Sequence, residues 1–191
     1  RGTSPQLREV EMVNDMPFSD YTKSMRYENL TTIDPHEKFI LETSPDLIET
    51  RIIDLVTPLG KGTRGLIVAP PRTGKTTILK QIANAVTANH PEVHVLVLLI
   101  DERPEEVTDF QRSVKAEVVA SSNDMDLETH VRLSRFMIER CRRMVESGRD
   151  VFVLLDSITR VARAYNSVHG GSGRPMTGGV DARALEIPRK M

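Results

Sequence analysis

A chain of 191 residues with 39% hydrophobic and 28% charged side chains is long enough for one globular domain with a core, and too short for two comfortable ones. The formal net charge of −1 excludes a global basic field for nucleic-acid binding, so any such contact must come from a local cluster. The single cysteine, Cys141, cannot form an internal disulfide, and every apolar run is far shorter than a membrane span. We therefore expect a cytoplasmic protein with no membrane partner.

Residues 1–46 are predicted to form an arm or linker that precedes the core. This segment is charged, contains scattered prolines and lacks a sustained apolar period. Within it, only residues 38–42 have the character of a strand. The core domain is expected over residues 47–191.

From residue 65 onward, short apolar runs alternate with amphipathic patterns. Helices are predicted after Gly74, from Pro104 and over residues 127–147, and the tail, residues 170–191, is predicted to be a mobile loop. Strands that alternate with helices predict an α/β fold, with a mainly parallel sheet covered by helices on both faces. Four strands are predicted, at residues 65–69, 93–100, 117–121 and 151–155, and three of them are nearly continuous apolar runs. Four strands are few for such a fold, so the domain is expected to continue past Met191.

The segment APPRTGKTT, residues 69–77, matches the phosphate-binding motif [AG]-x-x-x-x-G-K-[ST] between a predicted strand and a predicted helix. Gly74 lets the backbone approach phosphate oxygens, and N–H groups at the helix N-terminus donate to them. Lys75 brings positive charge to the β- and γ-phosphates, and the Thr76 hydroxyl can ligate Mg²⁺. The motif predicts a site for ATP and Mg²⁺, which also includes the loop residues Arg72, Thr73 and Thr77.

Two acids follow predicted strands at the carboxyl edge of the sheet, where ligands bind in open α/β folds. Asp156 would hold Mg²⁺ together with Thr76; the alternative is an N-cap for the next helix, and the upstream phosphate loop favours the metal role. Glu102 would orient and deprotonate the attacking water, and the alternative is a surface salt bridge with Arg103.

Several stretches occur together that general phosphate-loop proteins do not share. They are GLIVAPPRTGKT at residues 65–76, LLIDERPEEVT at 98–108, EVVAS at 117–121, LDSITR at 155–160, ARAYN at 162–166 and TGGVDA at 177–182. As a set, they resemble the Rho family of bacterial transcription terminators, and the resemblance extends over about residues 25–185.

The resemblance implies a RecA-like fold, ATP as fuel, and a homo-hexameric ring that moves along single-stranded RNA and dissociates the RNA polymerase elongation complex. By matching position, Lys75, Glu102 and Asp156 would be catalytic, with Thr76 and Asp156 at the metal. Arg103 would lie beside the nucleotide. The glycine-rich loop before the first core strand would also belong to the nucleotide pocket, with residues Gly60, Lys61, Gly62, Thr63, Arg64 and Gly65.

Residues 173–179 match the family's RNA-contacting pore loop, which would place Arg174, Pro175, Thr177 and Gly178 on RNA. A flexible glycine loop with one arginine can follow a phosphodiester chain without reading bases, although an ordinary surface loop has the same composition. The family's second pore loop, arginine finger and adenine-stacking aromatic would lie beyond Met191. The fragment alone is therefore expected to be weakly active or inactive.

Two other functions fit the same residues. One is another RecA-like ATPase motor, of the rotary or secretion type, which shares the phosphate loop. The other is a nucleotide-dependent interaction module that binds ATP without hydrolysing it. RNA binding by residues 173–179 separates the Rho type from the first alternative, and hydrolysis separates it from the second.

Overall fold

A three-stranded parallel sheet organises the part of the chain that the computed structural model describes, residues 6–70 and 72–169. The chain begins with a two-stranded hairpin, β1 and β2, followed by a single helical turn, α1, and a 3₁₀ turn. The elements in chain order are β1 (Met12–Val13), β2 (Met16–Pro17), α1 (Phe18–Tyr21), the 3₁₀ turn (Tyr27–Asn29), α2 (Ile48–Val56), α3 (Lys75–Asn89), β3 (His94–Glu102), α4 (Pro104–Ser113), β4 (Glu117–Ser122), α5 (Leu127–Glu146), β5 (Val151–Asp156) and α6 (Ile158–His169).

The three long strands lie in the order β4-β3-β5, and both pairings are parallel. β3 is central because its apolar run, residues 95–100, is buried on both faces. One face packs against α3 and α4 through Val95, Val97 and Leu99. The other packs against α5 and α6 through residues 96, 98 and 100. The predicted α/β fold with helices on both faces is confirmed.

The predicted helices are present with small shifts of their ends. α4 begins at Pro104 with Glu105 and Glu106 in its first turn, where acidic side chains suit the helix macrodipole. α5 begins after Asp126, whose carboxylate accepts the Thr129 N–H at 2.7 Å. These polar signals fix where the helices begin.

The prediction of a strand at residues 65–69 is wrong. This segment has no regular secondary structure, and Leu66 and Val68 are 72% and 82% exposed. Within the described residues, β5 pairs with β3 alone, so the segment has no strand beside it to satisfy its backbone groups. An apolar run specifies a strand only where such a partner exists.

The predicted strand at residues 38–42 is also absent and is reduced to one bridge between Lys38 and Gly60. The N–H groups of Leu41 and Glu42 donate instead to the carboxylate of Asp54, each at 2.8 Å, so a side chain replaces a neighbouring strand. Phe39 and Leu41 are nevertheless buried against the core around α3. Part of the predicted arm therefore packs into the domain. None of the helices in the described ranges is both long and apolar enough to cross a bilayer.

Candidate functional site

The loop before α3 turns sharply and presents the start of a 15-residue helix to open space. Gly74 precedes the first helical residue with φ of 89°, in the left-handed region that favours glycine. Arg72 also has a positive φ, and the Thr73 hydroxyl donates to the Pro70 carbonyl at 2.7 Å, which closes the turn. A methyl group built on Gly74 would meet no atom within 4 Å. The space beside Gly74 is therefore open at a helix N-terminus, where the first backbone N–H groups lack intrahelical acceptors and can bind an anion.

Lys75, the first residue of α3, folds back over this loop. Its Nζ donates to the carbonyl oxygens of Ala69 at 2.9 Å and Pro70 at 2.7 Å. Both acceptors are neutral, so these bonds hold the ammonium in place without cancelling its charge. The same charge lowers the pKa of Asp156, which places Lys75 within electrostatic reach of the sheet edge. A phosphate group can replace the two carbonyls with a stronger, charge-assisted bond.

The two predicted acids lie together at the carboxyl edge of the sheet. β3 and β5 are parallel neighbours with Leu99 opposite Asp156, so Glu102 ends the adjacent strand three residues farther along. Glu102 is only 5% exposed and Asp156 is half-buried. Burial raises the pKa of Asp156, Arg160 and Lys75 lower it, and Glu106 raises it. Two carboxylates near a lysine and an open helix end make a site for a phosphate ester with a divalent cation.

Glu102 forms an ion pair with Arg160, with 2.7 Å between Oε1 and Nη1. Arg160 lies in the first turn of α6 and also donates from Nη1 to the carbonyl of Asp101. Burial raises the pKa of Glu102 to about 7, an effect that Arg160 opposes and that Asp156 and Glu106 reinforce. A carboxylate that titrates near neutral pH suits a general base. Its second oxygen, Oε2, is buried and accepts no hydrogen bond from the described residues.

Sequence reasoning missed Arg160. The alternative role for Glu102 was a salt bridge with Arg103, which is exposed and precedes Pro104 in extended conformation. The available signal was the position of Arg160, four residues after Asp156 on the helix that follows the strand. Such a residue faces the same sheet edge, although its choice of partner depends on tertiary structure.

The residues present fit Mg²⁺ bound with phosphate. Thr76 is half-buried in the first turn of α3, beside Lys75, and Asp156 supplies a carboxylate at the same edge. The described ranges contain no group of three or more His, Cys, Asp or Glu side chains able to hold a metal ion. Mg²⁺ accepts such a site, because it commonly uses one or two protein oxygens and completes its shell with phosphate and water.

The other predicted nucleotide-site residues are more dispersed. Thr77 is exposed in the first turn of α3. Lys61 lies at the opposite end of the sheet, where its Nζ binds Asp150, the residue before β5, at 2.7 Å and Glu37 at 2.9 Å. These two carboxylates raise the pKa of Lys61. β5 has six residues, so the Lys61 end is about 17 Å from the Asp156 end.

The rest of that glycine-rich loop is arranged around its own turn. The Thr63 hydroxyl donates to the Gly60 carbonyl at 2.7 Å, and Gly62 has φ of 85°. Arg64 and Gly65 are exposed and lead toward the phosphate loop. The structure therefore does not bring Gly60, Lys61 and Gly62 to the carboxyl edge. The predicted RNA-contacting residues, Arg174, Pro175, Thr177 and Gly178, lie outside the described residues.

The model of the ATP synthase alpha/beta family, nucleotide-binding domain, matches residues 49–179. Among curated relatives, the transcription termination factor Rho of Micrococcus luteus is 52% identical over 184 residues, which are 96% of this chain and 27% of that protein. The Rho of Streptomyces lividans is 53% identical over 96% of this chain and 26% of its own length. The Rho of Karelsulcia muelleri is 50% identical over 96% of this chain and 48% of its own length. The chain thus spans between about a quarter and a half of these relatives.

Solved structures agree on the fold. An ATPase from the type III secretion system of pathogenic bacteria matches 82% of this chain and 45% of its own, with a TM-score of 0.69 and 23% identity. An ATP synthase subunit from Nanoarchaeum equitans matches 82% of this chain and 40% of its own, with a TM-score of 0.64 and 20% identity. At such identities the likeness concerns the fold alone, which is the RecA-like α/β fold of these ATPases.

Proposed function

This chain belongs to the ATP synthase alpha/beta family of nucleotide-binding domains, and from that premise we propose that it is the ATP-hydrolysing part of an RNA-dependent motor of the Rho type, which terminates transcription. The observation that carries the proposal is the pairing of an open phosphate loop with a buried glutamate at the adjoining sheet edge. About 50% identity to termination factors Rho favours this type over other motors of the same fold.

The phosphate loop binds the triphosphate. Backbone N–H groups around Gly74 and at the start of α3 donate to phosphate oxygens, and the macrodipole of α3 adds to their effect. Lys75 exchanges the carbonyls of Ala69 and Pro70 for the β- and γ-phosphates. The exposed side chains of Arg72, Thr73 and Thr77 border the same loop.

Thr76 and Asp156 would hold Mg²⁺, which neutralises charge that develops on the phosphates. Burial disfavours an unpaired Asp156 carboxylate, as its raised pKa indicates, and a cation at this position would reverse that effect. Arg103 directly follows Glu102 and is exposed, and we propose that it contacts the nucleotide. Thr63, Arg64 and Gly65 precede the phosphate loop along the chain and stay in the proposal as residues that border the pocket, whereas Gly60, Lys61 and Gly62 do not.

Glu102 removes the proton from the water that attacks the γ-phosphate. Oε2 is the proposed acceptor of that proton, while Oε1 stays paired with Arg160. Water attacks phosphorus, the bond to the β-γ bridging oxygen breaks, and ADP and inorganic phosphate leave. General-base assistance of this kind contributes about 10²–10⁴-fold to a rate.

In the intact protein we propose a cytoplasmic homo-hexamer that acts on single-stranded RNA and on the RNA polymerase elongation complex. Arg174, Pro175, Thr177 and Gly178 would contact RNA. Support comes from the identity to termination factors Rho across 96% of the chain. The secretion-system ATPase shares less than 25% identity and supports no function beyond the fold.

The test measures ATP hydrolysis by the longest natural form of this chain, with and without single-stranded RNA. We expect RNA to accelerate hydrolysis, and the double variant Arg174→Ala with Thr177→Ala to weaken RNA binding.

Glu102→Gln should lower kcat by about 10²–10⁴-fold while nucleotide still binds. Glu105→Gln is the matched control for this variant, because Glu105 is an exposed acid in the first turn of α4. Hydrolysis that ignores RNA would refute the Rho-type assignment, and ATP binding without hydrolysis would favour an interaction module.

A further inference from the structure

A buried histidine, His130, lies near the residue that precedes the proposed base Glu102 and has no role in the mechanism above. His130, in the second turn of α5, is 2% exposed. Its Nδ1 is 2.8 Å from the hydroxyl oxygen of Ser121, a β4 residue that is itself fully buried. Its Nε2 lies 4.0 Å from a carboxylate oxygen of Asp101, the residue before Glu102. His130 therefore joins α5 and β4 to the strand that carries the base.

Asp101 forms a β-bulge. The pairing of β3 with β4 runs from Ile100 opposite Ser121 directly to Glu102 opposite Ser122, so Asp101 has no partner across the ladder. Its φ of 60° lies in the left-handed region. That conformation is unfavourable for a residue other than glycine, so the surrounding structure must hold it.

The bulge decides on which face of the sheet Glu102 lies. Regular alternation would place residue 101 with Leu99 on the α3 and α4 face, and residue 102 with Ile100 on the α5 and α6 face. Instead, Asp101 lies beside His130 of α5. Glu102 pairs with Ser122, the residue after Ser121 on β4, and therefore lies on the face opposite to Ile100. Its ion-pair partner Arg160 comes from the first turn of α6, at the same end of the sheet. The extra residue thus moves the base to the face of the sheet that carries α3 and the phosphate loop.

We infer that His130, anchored by Ser121, is a positioning residue for Glu102: by holding the Asp101 carboxylate on the α5 face, it maintains the bulge that directs the base toward the phosphate loop. When the Ser121 hydroxyl donates to Nδ1, the ring hydrogen lies on Nε2, 4.0 Å from the carboxylate, a separation that acts through electrostatic attraction and contact rather than a direct hydrogen bond. Charged groups that interact with His130 include Asp101 on β3 and Asp126 on its own helix, and Arg160 of α6 donates to the Asp101 carbonyl. This inference rests on the proposed function, because it gives Glu102 its role as base.

The test compares His130→Leu with His130→Gln in the longest natural form of the chain, with ATP hydrolysis at saturating RNA as the readout. Leucine fills the space but cannot hold the carboxylate, so kcat should fall roughly 10–100-fold with KM for ATP unchanged, because the base is misplaced while the phosphate loop is intact. Glutamine can place an N–H near the position of Nε2 and should retain kcat within about threefold of the unsubstituted protein.

A role in packing alone predicts the opposite order, because a buried leucine is tolerated better than a buried amide. Leucine as active as glutamine, or a parallel loss of ATP affinity, would overturn the inference. Ser121→Ala provides a second variant in case His130→Leu does not fold. It should lower kcat severalfold at constant KM, and an unchanged kcat would contradict the positioning role of His130. If the unsubstituted protein does not hydrolyse ATP, the proposed function fails instead, so the two failures are distinguishable.

Discussion

At the scale of single residues, the proposed chemistry depends on a pKa of Glu102 that lies near neutral pH. Burial favours its protonated form, whereas Arg160, 2.7 Å away, favours the carboxylate. Burial dominates, and the pKa of Glu102 rises to about 7 from an ordinary value of 4.5. A base with this pKa is about half ionised near neutral pH, and its ionised form is basic enough to accept a proton from water.

We therefore predict that ATP hydrolysis falls as the pH drops below about 7, because Glu102 must be ionised to act as a base. Arg160→Gln removes the cation that stabilises the carboxylate, so the pKa of Glu102 should rise and the acidic limb of the kcat profile should move to higher pH. Arg163→Gln is the matched control, because Arg163 is exposed on the same helix. A limb that stays in place, or moves to lower pH, would contradict this assignment of Arg160.

The sequence was sufficient to predict the positions of the candidate site residues that local spacing determines. Gly74, Lys75 and Thr76 belong to one short motif that begins a helix, and Glu102 and Asp156 end apolar strands. Arg160 and His130 could not be found in this way. Arg160 is 58 residues after its partner Glu102, and His130 is 29 residues after Asp101. Only the packing of α6 and α5 on the sheet brings the members of these pairs together.

At the scale of elements, polar end signals and buried apolar runs determine what the sequence predicts well. β3, β4 and β5 were predicted within two residues at each end, because their apolar runs are covered by helices. α2 was not predicted, although its sequence is as amphipathic as that of α5. Its Ile53 packs against the core, whereas Ile48 and Leu55 are more than half exposed. The strand predicted at residues 65–69 is absent because apolar character alone cannot supply a pairing partner.

The first turn of α5 offers a test at this scale. Asp126→Ala removes the carboxylate that accepts the Thr129 N–H at 2.7 Å, so the melting temperature should fall by about 2–4 °C. The pKa of Asp126 is lowered by Thr129, so the cap stabilises above the ordinary pKa of 3.8 and is lost as pH falls through the lowered value. The difference between the two proteins should therefore shrink in acid. Asp124→Ala, an exposed neighbour outside the helix, is the control; an equal effect of both changes would rule out the cap.

At the scale of the whole molecule, the sheet joins the two halves of the site. β3 carries Glu102, β5 carries Asp156, and α3 presents Lys75 from one face of the same sheet. The chain before residue 47 contributes to this framework, because Tyr21 donates to Glu146 of α5 at 2.6 Å and Phe39 lies in the core. A ligand at the phosphate loop that binds only this arrangement must stabilise the entire fold.

The most direct measurement is the shift in thermal unfolding caused by MgATP in the longest natural form of the chain. At a nucleotide concentration 100 times Kd, binding should stabilise the protein by about 2.7 kcal/mol. Lys75→Ala should weaken binding by about 10–100-fold and lower this stabilisation to about 0.4–1.4 kcal/mol, because it deletes a charge-assisted bond to phosphate. Lys80→Ala, on the same helix but paired with Asp109, should leave the stabilisation unchanged. A shift that is equally large with Lys75→Ala, or one that MgATP never produces, would contradict a phosphate site at the start of α3.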